Sequence, residues 1–302
     1  MTLTRFFRQT NCPKERRDNP HLMSYKKLFI VIGPTAAGKT DYSIDLAQKL
    51  SSPVISCDSR QIYRELRIGT APPTDEQLSM VQHYFIFSHS IHDLFTAGKY
   101  ELEALKLLEE LFQTHDSLVM VGGSGLYIDA VCRGIDDFPP ADMELRETLM
   151  QRLKNEGLEP LQKELRHLDR ASYETMDIAN PQRVIRALEV SLSTGEAFSS
   201  FKQFKSKPRN FKIEKILIER PREELYQRID RRVDIMMDMG LLEEVRGLYE
   251  FRDRPALKTV GYRELFDYID GKYSLDQAID LIKRNSRRYA KRQMTWWRRE
   301  LP

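Results

Sequence analysis

The amino-acid sequence predicts an α/β fold: a parallel sheet flanked by helices, with a helical insertion and a helical C-terminal region. Three observations carry this reading. Short apolar runs are continuous instead of alternating, and two of them end in glycine-rich turns. Helical stretches separate these runs. Strand signals stop between about Asp136 and Pro208 and again after Pro221. A continuous apolar run suits a strand covered on both faces, as parallel strands are. Strands alternating with helices then imply right-handed crossovers.

Taken in order, Leu28 to Ile32 reads as the first buried strand, and Asp41 to Leu50 as a helix with Ile44, Ala47 and Gln48 at helical spacing. A second strand runs from Pro53 to Cys57 and meets Asp58. Tyr100 to Gln113 is expected as an amphipathic helix with Leu102, Leu105, Leu108 and Leu111 on its apolar face. Ser117 to Val121 is a third strand, ending in Gly122-Gly123-Ser124-Gly125, and Ile213 to Ile218 a fourth. In the insertion, Asp142 can cap a helix carrying Leu145, Leu149 and Leu153 and closed by Gly157. Asn180-Pro181 supplies an N-cap and first-turn proline for a helix through Leu188, with Gly195 as its stop. The C-terminal region is helical: Leu225, Ile229 and Val233, then Leu241 to Leu248, then Leu275 to Trp297. The expected organisation is a disordered basic tail over 1–24, a core of 25–135 plus 211–302, and a helical insertion domain over 136–210.

Bulk properties narrow the class. A chain of 302 residues with 41% hydrophobic content suits a soluble protein of about two domains. No apolar run approaches the roughly 20 residues of a membrane span. Three scattered cysteines form no CxxC pair, which argues against a disulfide framework or structural zinc and suits a reducing cytoplasm. The first 22 residues are polar, with Arg5, Arg8, Lys14, Arg16 and Arg17, and lack a secretory apolar core; an extended tail or a transit peptide are the readings open. Net charge is only +3, yet Leu281 to Arg299 carries eight basic residues and no acid. Arg284, Arg287, Arg288, Lys291 and Arg292 share one helical face. That face is either an RNA-binding stripe or a solvated surface.

Gly33-Pro34-Thr35-Ala36-Ala37-Gly38-Lys39-Thr40 matches GxxxxGK[ST] between a strand and a helix, so the α/β sheet is of P-loop type. Glycines let backbone N–H groups approach phosphate oxygens, and the helix N-terminus adds a favourable dipole. Lys39 supplies a charge and the Thr40 hydroxyl a ligand for Mg²⁺. A nucleotide hydrolase or kinase would place an acid at the end of a second apolar strand. Val54 to Asp58 fits crudely, whereas Val119-Met120-Val121 runs into glycines. Asp58 also sits in Asp58-Ser59-Arg60-Gln61-Ile62-Tyr63, followed by Ile68-Gly69-Thr70-Ala71, which is more than a metal acid requires.

These segments resemble those of tRNA dimethylallyltransferases (the IPP transferase family). The likeness extends through Val121-Gly122-Gly123-Ser124-Gly125-Leu126-Tyr127, Pro181-Gln182-Arg183, Arg186-Ala187-Leu188-Glu189-Val190, Gln227-Arg228-Ile229 with Arg232, Gly240-Leu241-Leu242-Glu243-Glu244-Val245, Val260-Gly261-Tyr262-Arg263 and Tyr289-Ala290-Lys291-Arg292-Gln293-Met294-Thr295-Trp296. It covers about residues 25 to 298, in family order. Departures are Pro72 for a lysine, Phe87 for an aspartate after His83-Tyr84-Phe85-Ile86, Asn180 for an aspartate, Arg263 for a lysine and Ser124 for a threonine.

The resemblance implies transfer of a dimethylallyl group from dimethylallyl diphosphate to N6 of the adenosine 3′ to the anticodon (position 37) of tRNA. Residues Gly33, Pro34, Thr35, Ala36, Ala37, Gly38, Lys39 and Thr40 would hold diphosphate, with Mg²⁺ on Thr40 as cofactor. Asp58 would be the general base, Ser124 would stand beside the reacting centre and Arg232 would contact diphosphate. The anticodon stem-loop would meet Asp58, Ser59, Arg60, Gln61, Ser124, Pro139, Gln182, Arg183, Val184, Ile185, Arg186, Lys258, Thr259, Val260, Gly261, Tyr262, Arg263, Arg287, Arg288 and Lys291. A cytoplasmic monomer is expected. A P-loop NTPase or kinase, a prenyltransferase acting on free nucleotide and a non-catalytic RNA-binding relative are the alternatives.

Overall fold

A computed structural model describes residues 3–8, 26–203 and 206–298. One six-stranded sheet, in the order β1-β6-β2-β5-β3-β4, organises the first compact unit, residues 1–133 with 208–302. Its strands are β1 (Leu3–Arg8), β2 (Lys27–Ile32), β3 (Val54–Ser56), β4 (His83–Tyr84), β5 (Ser117–Val121) and β6 (Lys212–Glu219). All neighbours from β6 to β4 are parallel; β1 joins β6 antiparallel.

Residues 3–8, expected within a disordered tail, are thus an edge strand. Pairing at a sheet edge needs backbone partners and β-tolerant residues, which Leu3-Thr4-Arg5-Phe6-Phe7-Arg8 supplies. It does not need the helical apolar face whose absence suggested disorder. The remainder of that expected tail, residues 9–24, lies outside the described residues.

The helices of this unit are α1 (Lys39–Leu50), α2 (Asp75–Met80), α3 (Ala97–Leu111) and α4 (Gly125–Arg133). In the second unit, residues 134–207, come α5 (Met143–Glu156), α6 (Leu158–Leu168), α7 (Arg170–Thr175) and α8 (Pro181–Thr194). The first unit ends with α9 (Arg222–Asp238), α10 (Leu241–Gly247), α11 (Tyr262–Ile269) and α12 (Leu275–Trp297). No helix among the described residues is long and apolar enough to cross a membrane.

The continuous apolar strands are explained by two covered faces. Leu28, Ile30, Ile32, Leu118, Met120 and Leu217 pack in one cluster with α3, α4 and residues of α10–α12. Val31, Val119, Ile216 and Ile218 turn to the other face, against Ala47 of α1 and Leu225 and Ile229 of α9. Helix α3 buries Leu108 of the leucine row expected of it and packs Leu105 and Leu111 against the core, but not Leu102. Leu102 is 73% exposed, while Tyr100, Ala104 and Leu108 are buried. Leucines three apart drift about 60° per step around a 3.6-residue helix, so the row starts outside the core at Leu102. The stripe at i, i+4, i+8 is set by Tyr100, whose ring stacks on Tyr127 at 4.4 Å and whose hydroxyl donates to Ser56 O at 2.9 Å.

The second unit has its own core, including Leu149, Leu161, Leu165, Val184, Ile185, Leu188 and Phe198. Asp142 caps α5 by accepting from Leu145 N at 3.0 Å, and Asn180 caps α8 by accepting from Gln182 N at 3.1 Å. Fully buried Glu189 on α8 accepts from Asp142 N at 3.1 Å, Arg186 Nη1 at 2.5 Å and Arg146 Nη1 at 3.3 Å. It ties the start of α5 to α8. Glu189→Ala is expected to destabilise the protein by about 2 kcal/mol, below the usual value for breaking a buried pair because both arginines reach water. Urea unfolding would measure it; an unchanged midpoint would contradict the assignment.

Candidate active site

The P-loop leaves β2 at Gly33, where φ is 145° and an added Cβ would stand 2.5 Å from the Ile218 carbonyl oxygen of β6. Only glycine lets the loop pass that close to the neighbouring strand. Gly38, at φ 95°, turns the chain into α1.

Four side chains from distant elements grip this loop. Arg220, between β6 and α9, donates from Nε to Ala37 O at 2.7 Å, with Nη1 on Glu224 at 2.5 Å. On α9, Arg228 Nε donates to Ala36 O at 2.8 Å and Arg232 Nη1 to Thr35 Oγ1 at 3.1 Å. Buried Gln293 on α12 accepts from Thr35 N at 2.8 Å and donates to Gly123 O at 3.0 Å, joining the P-loop to the glycine turn after β5.

The electrostatics favour an anion. Lys39 Nζ donates to Pro34 O at 2.8 Å. Burial, and then the neighbouring Arg232 charge, push the Lys39 pKa down to about 8. Burial and Arg228 likewise disfavour the charge on Arg232. Cations crowded together at a partly buried site are relieved by a bound anion.

Asp58 follows β3 in a tight turn of its own making: Oδ1 accepts from Arg60 N at 2.8 Å and Gln61 N at 3.3 Å. Ser124 Oγ accepts from Ser59 N at 2.9 Å and donates to Ser59 Oγ at 3.1 Å, so the turns after β3 and β5 are linked. Tyr289 of α12 lies beside them, its hydroxyl pushed up to about 12 by burial and by Asp58. Thr35, Lys39, Thr40, Asp58, Arg60, Gln61, Arg232, Thr259, Val260 and Gly261 all line one cleft of about 960 Å³.

Other expected contact residues are placed elsewhere. Val184 and Ile185 are fully buried in the core of the second unit, and Tyr262 in that of the first, so their side chains cannot touch RNA. They belong to motifs whose neighbours are exposed, and periodicity turns them inward. Arg186 is held by Glu189 and by Pro139 O at 2.8 Å; Gln182, Arg183, Lys258 and Arg263 are exposed. On α12 the basic face is not free of acids: α9 supplies Asp230 to Arg287, and Asp234 to Lys283 at 2.5 Å. Arg284, Arg288, Lys291 and Arg292 stay exposed.

Arg220 was missed by sequence reasoning, although an arginine just after a strand beside the P-loop strand stands where α/β sheets bind ligands. Arg228 and Gln293 lay within matched motifs without an assigned role. Among the described residues no group of three or more His, Cys, Asp or Glu side chains could cage a metal. Mg²⁺ commonly takes one or two protein oxygens plus phosphate and water. The Thr40 hydroxyl, on the cleft, fits that mode as one protein oxygen.

A P-loop that crowds Lys39 against Arg232 and opens onto a cleft also lined by the Asp58 carboxylate marks an α/β enzyme of P-loop type. The chain belongs to the IPP transferase family, whose model matches residues 61–300. It is 50% identical over 273 residues to tRNA dimethylallyltransferase 1 of Phocaeicola vulgatus, covering 90% of this chain and 91% of that one. It is 52% identical over 273 residues to tRNA dimethylallyltransferase 2 of Porphyromonas gingivalis, covering 90% and 91%. The crystal structure of a full-length tRNA isopentenylpyrophosphate transferase from Bacillus halodurans matches with a TM-score of 0.63 at 38% identity, over 90% of this chain and 87% of that one. A eukaryotic dimethylallyltransferase acting on tRNA matches with a TM-score of 0.74 at 25% identity, over 90% and 70%.

Proposed function

We propose that the protein transfers a dimethylallyl group from dimethylallyl diphosphate to N6 of the adenosine 3′ to the anticodon (position 37) of tRNA, releasing diphosphate. The observation that carries this reading is the shared cleft: the phosphate-seeking loop and the Asp58 carboxylate line the same space. As the allylic C–O bond breaks, negative charge grows on diphosphate, and the loop amides, Lys39 and Arg232 stabilise it. The N6 nitrogen forms the new C–N bond and its proton passes to Asp58. Mg²⁺, when bound through Thr40, would add positive charge at the leaving group. The target base must leave its stack to reach the cleft. Incubation with dimethylallyl diphosphate and unmodified tRNA, followed by nucleoside mass analysis, should yield prenylated adenosine. Transfer of a phosphoryl group from ATP with no prenylated product would overturn the reading.

Helix α12 is proposed to contact tRNA phosphates through its exposed cations. Replacing Arg288 and Lys291 together with Gln should flatten the dependence of log K on log salt by roughly 0.7–0.9 for each phosphate that is no longer neutralised. Arg287→Gln should lower thermal stability instead, because its partner is Asp230. Filter binding across a salt series checks the first; an unchanged slope would make this face a solvated one.

A further inference from the structure

The Glu244 carboxylate on α10 gathers four donors. Oε2 accepts from Arg67 N and Ile68 N, both at 2.8 Å. Oε1 accepts from Gly69 N at 3.1 Å and from the Tyr262 hydroxyl at 2.6 Å. The fully buried Tyr262 ring presses on the same loop: a Cβ at Gly69 would stand 2.6 Å from its Cε2. Three consecutive amides on one carboxylate, backed by a ring, leave the loop one position. Glu244 does not line the cleft, but the segment it holds does, from Arg67 through Ala71.

That segment in turn orients a cleft side chain. Gln61 Nε2 donates to Thr70 O at 3.2 Å and to Ala71 O at 2.9 Å. With two carbonyls taking the amide nitrogen, the orientation of the group is settled by its partners. Its oxygen is left as the acceptor. The Gln61 backbone N–H meanwhile donates to Asp58 Oδ1 at 3.3 Å, so the acceptor and the carboxylate belong to one turn. An acceptor on the Asp58 turn complements an exocyclic amine, which donates, and opposes a ring carbonyl, which does not.

We propose that Glu244 is a positioning residue: by fixing the Arg67–Ala71 loop it makes Gln61 present its amide oxygen, next to Asp58, to the amine of the target base. This rests on the prenyl-transfer reading above. Weakening the clamp lets the loop shift and the amide turn, which misplaces the amine relative to Asp58 without touching the phosphate cradle. A displacement of about 1 Å at a reacting centre can cost on the order of 100-fold in rate.

The test uses the full-length protein in single-turnover transfer with saturating dimethylallyl diphosphate and tRNA. Glu244→Gln keeps the shape and removes the charge; Gly69→Ala keeps every carboxylate and drives the loop off Tyr262. Each is expected to lower the rate by about 10- to 100-fold while the Kd for dimethylallyl diphosphate stays within about twofold. Because Glu244 acts through Gln61, Glu244→Gln combined with Gln61→Ala should be no slower than Gln61→Ala alone. Unchanged rates in both single variants overturn the proposal. So do fully additive losses, or losses matched by falling diphosphate affinity and melting temperature, which would mark plain structural support. A wild-type protein that transfers nothing in the same assay would sink the prenyl-transfer reading itself.

Discussion

Asp58→Asn is expected to cut single-turnover transfer by about 10²–10⁴, the range for loss of a general base, while leaving the fold and RNA binding intact. The structure makes this substitution a clean one. The carboxylate organises its turn through Oδ1, which accepts from Arg60 N and Gln61 N, and an asparagine carbonyl can accept the same two bonds. What disappears is the basicity needed to take the amine proton. Rapid-quench measurement with tRNA and dimethylallyl diphosphate gives the rate, and circular dichroism checks the fold. A wild-type rate in the variant would remove Asp58 from the chemistry and leave it as a turn residue.

Lys39→Ala should lower the rate by about 10²–10³, the usual loss for one group stabilising developing negative charge, and should weaken diphosphate binding as well. Its ammonium faces the ground-state anion and the departing one alike, so affinity and chemistry fall together. A pH signature separates this from simple loop damage. With its pKa at about 8, Lys39 in the free enzyme loses its proton above that pH. A bound anion favours the charged form, so binding above pH 8 takes up a proton and affinity declines as pH rises. Lys39→Ala should lack that decline. The sign for stability follows from the same shift. Between about 8 and the ordinary 10.5, the unfolded lysine holds a proton that the folded one has released, so the unfolded state binds more protons and stability rises with pH through that window. Below it, the buried charge is a constant cost to the folded state. Calorimetric titration of inorganic diphosphate at several pH values measures proton uptake directly; equal pH dependence in wild type and variant would rule out Lys39 as its source.

The α/β alternation, the glycine turn into α1, the caps Asp142 and Asn180, and the span of α12 from Leu275 to Trp297 were all legible in the sequence. Each is written locally. Continuous apolar runs report two covered faces, a glycine reports a positive φ, and a capping side chain reaches only three residues along the chain. The P-loop motif was legible for the same reason, because its residues are consecutive, whereas Asp58 was singled out by the resemblance of its segment to a family motif. What surrounds them was not. Arg220, Arg228 and Gln293 reach the P-loop from 183 to 258 residues away, and Glu244 reaches its loop across 175 to 177. Such contacts exist only once the order β6-β2-β5-β3 sets those strand ends side by side. The same holds for the acids of α9 that pair with α12, for the inward turn of Val184, Ile185 and Tyr262, and for β1, whose backbone finds a partner only at the edge that β6 exposes. Local backbone preference therefore determined most of the elements and the turns at residues 33–40 and 58–61 by sequence alone. Packing across the sheet decided which charges are neutralised, which side chains are hidden and which groups hold those turns in place, because those energies depend on distances that only the folded chain defines.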